Sequence, residues 1–453
     1  MRITILLFIS FFFLSCSVKP KPNTSTKVTA DRPNIVLLMA DDMGYECLSA
    51  NGSVAYQTPV LDQMGKEGIR FTYAISQPLC TPSRVKIMTG KSNYKNYKAF
   101  GYLDTNEKTF GNLLQDAGYA TCVVGKWQLN GMGTTYETAK EDMLKRPQHF
   151  GFDEYCLWNF IGGSHNRYSN PNLYQNGKQL TGLEDAYGPD VVSDYAVGFM
   201  KRNKDKPFLL YYPMILTHNP FVPTPDSEEW QDKNLRKKGD KRFFKDMVEY
   251  TDKIVLKLMD AIKELGLDDN TIFIFTGDNG TNTVITTQTE GGPFLGGKGS
   301  MPDAGTHVPM VVYNPSKIRK GFDYNELFEF NDFLPTFAEA AGVPIPEAAD
   351  GKSIYPLLSN KRQAPRETVF IHYDPLKSVR NDPPFGRFVR NKEYKLYNDN
   401  RFYRLSQDTE EKHPIPDADL TEKERLLKEK LQAELALAPP YQFKQSIEYR
   451  KKR

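Results

Sequence analysis

The sequence carries almost no net charge. Its 59 lysines and arginines against 56 aspartates and glutamates leave a formal charge of +3, so we expect no nucleic acid as its main partner. Cysteine is scarce as well: the five cysteines include no Cys-x-x-Cys pair, which argues against a disulfide scaffold and against a zinc site. Past the N-terminus, no run of about 18 apolar residues predicts a membrane-spanning helix.

The N-terminus has the pattern of an export signal. Arg2 precedes an apolar stretch over residues 3–14, which is short for a spanning helix and typical of a secretory signal peptide. The following Ser15-Cys16 resembles the end of a bacterial lipobox, and ordinary secretion is the alternative. We predict a signal peptide over 1–16 with a lipid anchor at Cys16, a flexible tether over 17–31, and a location in the bacterial periplasm or at the cell surface.

Short apolar runs alternate with amphipathic segments up to about residue 360. The runs cover residues 34–40, 120–125, 208–214, 271–276 and 310–313. Continuous apolar strands between helices predict an α/β fold with a large, mainly parallel sheet flanked by helices. Short strands and a charged helix follow, and they predict a small antiparallel sheet plus helix. The boundaries expected are a catalytic domain over 32–360 and a small C-terminal subdomain with a basic tail over 361–453.

Reactive polar residues follow most of these apolar runs. They are Asp41 and Asp42, Lys126, His218, and Asp278 with Asn279. In a parallel sheet, such residues meet at the edge formed by the carboxyl ends of the strands. Three carboxylates and an amide suit a hard cation, calcium or alternatively magnesium. Each group alone also fits a helix cap or a turn.

The segment from Cys80 to Arg84 predicts an anion site. Its proline suits the first turn of a helix and Gly90 suits the end, which places Cys80 near the helix N-terminus. Exposed amides there favour an anion, and Arg84 adds positive charge. A buried structural cysteine followed by an unrelated arginine is the alternative.

This pentad, Cys-Thr-Pro-Ser-Arg, resembles the sulfatase signature C-x-P-S-R. Further motifs resemble that family in the same order along the chain, from about residue 32 to residue 407. They are Pro33-Asn34-Ile35-Val36, Asp41-Asp42-Met43-Gly44, Thr58-Pro59, Gly125-Lys126-Trp127, Thr217-His218, Gly277-Asp278-Asn279-Gly280, Gly297-Lys298-Gly299 and Tyr394-Lys395-Leu396. The resemblance implies an alkaline-phosphatase-like fold and hydrolysis of sulfate esters.

The resemblance also implies a role for each matching residue. Cys80 would be converted by a formylglycine-generating maturase to formylglycine (3-oxoalanine), whose hydrate is the nucleophile. Arg84 would stabilise that hydrate, Lys126 and Lys298 would hold sulfate oxygens, and His218 would protonate the departing alcohol. The calcium ligands would be Asp41, Asp42, Asp278, Asn279 and the modified Cys80.

Gln128 departs from the pattern of the family. A histidine usually stands two places after the lysine, where it assists the release of sulfate, and glutamine cannot exchange a proton there. His307, where the family more often has arginine, is a candidate for another base in the site; a loop histidine without such a role is the alternative.

Fewer sequence features bear on the identity of the substrate. Export suggests sulfated carbohydrate as the substrate, and the aromatic-rich loop over 158–168, with His165 and Arg167, is a candidate sugar-binding element. Ordinary loop packing explains the same residues. A phosphonate or phosphate monoester hydrolase and a non-catalytic binder of sulfated glycans are the alternative functions.

Overall fold

The computed structural model describes residues 32–132, 134, 136–162, 165–318, 320–359, 361, 364–375 and 385–441. The predicted signal peptide, lipobox, tether and basic tail lie outside the described residues. Within the described ranges, no helix combines the length and the apolar character that crossing a bilayer requires.

The strands confirm the apolar runs and add several that the sequence did not indicate. They are β1 (Asn34–Ala40), β2 (Ile69–Ile75), β3 (Ala120–Lys126), β4 (Glu154–Trp158), β5 (Leu173–Gln175), β6 (Lys178–Gln179), β7 (Phe208–Pro213), β8 (Thr271–Gly277), β9 (Thr286–Thr289), β10 (Gly292–Leu295), β11 (His307–Tyr313), β12 (Phe322–Glu329), β13 (Val369–Tyr373), β14 (Gly386–Arg390), β15 (Tyr394–Tyr397) and β16 (Phe402–Arg404).

The α-helices connect these strands. They are α1 (Pro59–Glu67), α2 (Cys80–Thr89), α3 (Asn93–Asn96), α4 (Phe110–Asp116), α5 (Lys140–Met143), α6 (Arg146–His149), α7 (Gly188–Arg202), α8 (Phe243–Glu264), α9 (Asp303–Thr306), α10 (Phe333–Ala340), α11 (Tyr355–Leu358) and α12 (Glu422–Leu437).

One large sheet organises the fold, in the order β12-β2-β11-β8-β1-β7-β3-β4-β5-β6. Its centre is parallel, because β8, β1, β7, β3 and β4 pair in register with the same direction. β11 runs antiparallel to both of its neighbours, β8 and β2. The prediction of a large, mainly parallel sheet is confirmed, with β11 as an antiparallel insertion.

Both faces of the large sheet are covered. Every residue of β1 is buried. Alternate residues of this strand pack into the two hydrophobic cores on opposite faces of the sheet, with Val36 and Leu38 in one core and Ile35 and Leu37 in the other. This explains why β1 reads as a continuous apolar run rather than an alternating one.

The small sheet has the order β13-β14-β15-β16, with every pairing antiparallel. Helix α12 begins with a capping box, in which Thr421 and Glu424 exchange hydrogen bonds, and its Leu431 packs with Val389 and Phe402 of the sheet. The predicted antiparallel sheet with a helix is therefore confirmed.

Candidate active site

Four neighbouring strands bring the predicted site residues to one edge of the large sheet. Strands β8, β1, β7 and β3 are adjacent and parallel, so their carboxyl ends meet. At these ends lie Asp278, Asp41, the loop that carries His218, and Lys126.

Lys126 owes its position to the residue before it. Gly125 has φ = +100°, and a Cβ there would lie 2.1 Å from the carbonyl oxygen of Pro213 on β7. Only glycine fits this close approach, which brings the end of β3 against its neighbour.

Two buried carboxylates, Asp41 and Asp42, form the centre of the cluster; both are 0% exposed. Lys126 Nζ donates to both oxygens of Asp41, at 2.9 and 2.8 Å, and Lys298 Nζ donates to Asp42 at 2.5 Å. Burial alone would raise the pKa of each carboxyl, but the cations around them, chiefly these two lysines, hold both pKa values below the ordinary range. Both groups are therefore ionised at neutral pH.

Asp278 and Asn279 approach the same centre from β8. The backbone amide of Asp42 donates to one oxygen of Asp278 at 3.0 Å, and Arg84 Nη2 donates to the other at 3.2 Å. Burial, together with the charge of Asp41, raises the pKa of Asp278 to about 7. Asn279 Nδ2 donates to Asp42 at 2.9 Å, whereas its buried Oδ1 accepts no hydrogen bond from the described part of the chain.

Cys80 is the first residue of α2, as predicted, and Gly90 in the left-handed conformation ends that helix. Ser83 Oγ donates to the carbonyl of Asp278 at 2.5 Å, and Arg84 Nη1 donates to the carbonyl of Lys126 at 2.9 Å. These bonds fix the first turn of the helix against β8 and β3. Burial raises the pKa of the Cys80 thiol, so the unmodified side chain is a poor nucleophile.

The ligand atoms lie close enough together to share a cation. One ligand atom each from Asp41, Cys80 and Asp278 falls within 4.8 Å of the others, and the same holds for Asp41, Asp42 and His218. The buried Oδ1 of Asn279, next to Asp278 in the sequence, has no hydrogen-bond donor among the described residues and is available as a further ligand. A set rich in carboxylate and amide oxygens fits a hard divalent cation.

His218 lies beside Asp42 at the mouth of the cluster. Its Nδ1 donates to the carbonyl of Asn219 at 2.6 Å, and its Nε2 lies 3.7 Å from Asp42 Oδ2. Burial lowers the pKa of His218 to about 3, so its imidazole is neutral at pH 7 in the free protein. The hydroxyl of Tyr168, the last residue of the aromatic-rich loop over 158–168, donates to the carbonyl of His218 and, at 3.0 Å, to that of Ile215.

The other predicted residues divide between the site and its surroundings. Gln128 lies inside, with its Oε1 3.8 Å from Cys80 Sγ. His165 is exposed. Arg167 lies over Trp158 at the end of β4. His307 donates to the carbonyl of Thr72 at 2.9 Å and stacks on Tyr45 at 4.0 Å. In the described part of the chain, it makes no hydrogen bond or ion pair with the carboxylate cluster.

An ionic network from the small sheet holds the segment that follows Lys298, and no local sequence pattern indicated these contacts. Arg390 Nη1 donates to both oxygens of Asp303, at 2.6 and 2.7 Å. Lys395 Nζ donates to the carbonyl of Met301 at 2.7 Å and to Glu411 at 2.8 Å. The segment that follows Lys298 is thereby held against the small sheet.

Comparisons with known proteins identify the family of this chain. The family model of sulfatases matches residues 33–343, and that of the N-sulphoglucosamine sulphohydrolase C-terminal region matches residues 295–437. The N-acetylglucosamine-6-O-sulfatase of Bacteroides thetaiotaomicron is 25% identical to this chain, over 82% of this chain and 78% of that protein. Arylsulfatase A of Homo sapiens is 30% identical, over 75% of this chain and 70% of that protein.

A solved structure agrees in fold. The crystal structure of Ps i-CgsB in complex with k-i-k-neocarrahexaose has a TM-score of 0.71 at 26% identity, and the match covers 89% of this chain and 92% of that one. The sulfatase model spans more than half of the 453 residues, and it includes every residue of the carboxylate cluster. The chain therefore belongs to the sulfatase family and is a sulfuric ester hydrolase.

Proposed function

We propose that this sulfatase removes sulfate from carbohydrate with a formylglycine formed from Cys80 as nucleophile and with calcium as its metal ion. The observation that carries the proposal is the convergence of Cys80 Sγ with oxygens of Asp41 and Asp278 inside 4.8 Å. Because Cys80 is the first residue of α2, a group at this position lies beside the backbone amides of the helix N-terminus and beside the surrounding cations.

Asp41, Asp42, Asp278 and Asn279, with the converted Cys80, are the proposed calcium ligands. The orphaned Asn279 Oδ1 supports this assignment, because a buried acceptor without a donor costs free energy unless a ligand satisfies it. A bound calcium ion would polarise the sulfate ester and neutralise part of its charge. Magnesium has the same preference for oxygen, so metal analysis is needed to choose between the two ions.

Arg84 and the two lysines are proposed to bind the reacting groups. Arg84 Nε is buried and has no acceptor among the described residues, so it is available to the hydrated aldehyde that supplies the attacking hydroxyl. With Asp41 and Asp42 committed to a cation, Lys126 and Lys298 would turn from these carboxylates to the sulfate oxygens. The sulfate would then be held by one cation from the end of β3 and one from the turn between β10 and α9.

His218 is proposed to protonate the leaving alcohol. The bond from its Nδ1 to Asn219 fixes the ring and leaves Nε2 facing the cluster. A negatively charged sulfate ester beside this nitrogen would raise the pKa of His218 from its low value in the free protein. The proton would then pass from Nε2 to the bridging oxygen as the bond to sulfur breaks.

Carbohydrate is the proposed substrate because sugars appear in the names of the relatives. One relative is an N-acetylglucosamine-6-O-sulfatase, and one similar structure holds a neocarrahexaose. Export as a lipoprotein, conversion of Cys80 by a maturase, and the division of the chain near residue 360 remain proposals that rest on the sequence.

The test is mass spectrometry of the tryptic peptide over residues 71–84, combined with an assay for release of inorganic sulfate from sulfated sugars. The protein should come from a host with a formylglycine-generating enzyme, beside a control sulfatase that is converted there. We expect the peptide to have exchanged sulfur for oxygen and lost two hydrogens at Cys80, as conversion of the thiol to an aldehyde requires, and sulfate release to depend on that conversion. An unconverted Cys80 beside a converted control would contradict the mechanism and favour the non-catalytic binder, whereas faster cleavage of a matched phosphate ester would favour the phosphatase alternative.

A further inference from the structure

Arg167 lies in the loop that follows β4 and stacks on Trp158. The guanidinium carbon of Arg167 is 4.0 Å from the centre of the Trp158 ring. Trp158 ends β4 and is the register partner of Lys126 on β3, and its carbonyl accepts a hydrogen bond from the backbone of Trp127 at 3.1 Å. The arginine is therefore placed one strand away from a lysine proposed to bind sulfate.

The other side of Arg167 faces the loop of the proposed acid. Burial raises the pKa of the neighbouring Tyr168 far above its ordinary value, the Arg167 guanidinium opposes that rise, and the charges of Asp41 and Asp42 add to it. The same Tyr168 hydroxyl donates to the carbonyl of His218. Arg167 therefore interacts with the tyrosine whose hydroxyl holds the backbone of the group proposed to protonate the leaving sugar.

The charge of Arg167 lacks the compensation that comparable arginines have. Arg84 pairs with Asp278 and Arg390 pairs with Asp303. Across the described ranges, no carboxylate pairs with Arg167, and its buried Nε and Nη1 have no hydrogen-bond acceptor. Partial removal of a guanidinium from water without an anion is unfavourable, so an anion supplied by a ligand would be bound with a gain in free energy.

We propose that Arg167 binds a second anionic group of the substrate, so that the preferred substrate is a sulfated sugar with a further acidic substituent close to the cleaved sulfate. This inference rests on the proposed function. Stacking on Trp158 holds the guanidinium in place, which reduces the rotational freedom lost on binding. A carboxylate and a second sulfate share the required chemistry, because both present paired anionic oxygens to arginine.

The test measures binding, so that it does not depend on turnover. Full-length protein with Cys80→Ala, loaded with calcium, is titrated by calorimetry with three probes: D-glucosamine 6-sulfate, D-glucosamine-2-N,6-O-disulfate, and a disaccharide in which glucuronate is attached to glucosamine 6-sulfate. We expect at least one doubly charged probe to bind about 10- to 100-fold more tightly than the singly sulfated one. The probe that gains affinity identifies the second group as sulfate or carboxylate.

Adding Arg167→Gln should abolish this preference and leave the affinity for the singly sulfated probe within about twofold. The matched control is Arg202→Gln, because Arg202 lies over Tyr195 but is paired with Glu154 at the opposite end of β4; it should leave the preference intact. Absence of any preference, or a preference that survives Arg167→Gln, overturns the inference. Failure of the proposed function is a separate result: matured wild-type protein would bind a doubly charged sugar and release no sulfate from it.

Discussion

Replacing Gln128 with histidine should accelerate the matured enzyme. Gln128 Oε1 lies 3.8 Å from Cys80 Sγ, so this side chain borders the nucleophile. An amide donates and accepts hydrogen bonds but does not exchange a proton at neutral pH, whereas an imidazole does. If release of sulfate needs a base at this point, the natural residue limits the rate.

The size of the effect follows from the geometry. Residue 128 has φ = +51°, a left-handed conformation that histidine adopts more readily than most residues, so the fold should tolerate the change. A well-placed general base contributes about 10²- to 10⁴-fold. Because no partner has been selected to orient the new ring, we expect less than this range: about tenfold in kcat, or about 1.4 kcal/mol, with KM nearly unchanged.

Rapid-quench kinetics on a sulfated sugar should separate the two products. In wild-type protein, desulfated sugar should appear in a fast phase equal to the enzyme concentration and inorganic sulfate should lag behind it. In Gln128→His the lag should shorten. Gln128→Leu is the control and should gain nothing. Equal kcat for wild type and Gln128→His, at equal formylglycine content, would refute the reasoning.

Four further outcomes are expected. Gly125→Ala should lower the free energy of unfolding, measured by urea denaturation, by at least about 2 kcal/mol, because a Cβ would lie 2.1 Å from a carbonyl oxygen. An unchanged free energy of unfolding would contradict the packing described. Arg390→Met should cost about 2 kcal/mol, since it removes two hydrogen bonds to Asp303 and leaves that carboxylate with Lys395 at 3.7 Å, and should raise KM by loosening the Lys298 segment; the same loss in an Asp303→Asn background would show that the pair is not the cause. Burial raises the pKa of Asp252 to about 6, so its contribution to stability is complete below its unfolded pKa near 4 and disappears as pH rises through 6. Wild-type unfolding free energy should fall by about 3 kcal/mol across that window because of this group, and Asp252→Asn should flatten the slope. Chelation should lower the melting temperature, and calcium at about 100 times its Kd should restore about 2.7 kcal/mol; a melting curve indifferent to both would argue against the metal.

Sequence alone predicted the elements whose burial is complete on both faces. β1 and β8 match their apolar runs closely because neither face meets water. β12 was not predicted, since Asp323, Asn325 and Glu326 interrupt it, and it lies at the edge of the sheet. An edge strand needs fewer apolar residues, so its pattern is weaker.

The residues of the candidate site also fall into two groups, those that the sequence predicts and those that depend on tertiary contacts. Residues directly after the central strands, such as Asp41 and Asp278, were predictable because the direction of parallel strands fixes where their ends meet. The contacts of Arg390 and Lys395 were not, because these residues reach the Lys298 segment across about 90 residues of sequence, and no local pattern records such contacts. The placement of His307 outside the cluster also depends on tertiary contacts, with Tyr45 and Thr72.

The reversed direction of β11 has a consequence for how such an enzyme diversifies. The chain leaves the site edge of the sheet after β8, carrying Asp278 and Asn279, and returns to the same edge before β11, carrying Lys298. Had β11 been parallel, the connection would have had to cross to the far edge. The segment between β8 and β11 leaves and rejoins the sheet at the site edge, so insertions or deletions within it can reshape the entrance to the site while its two ends keep their places. New substrate preferences can therefore arise there without any change in the sheet.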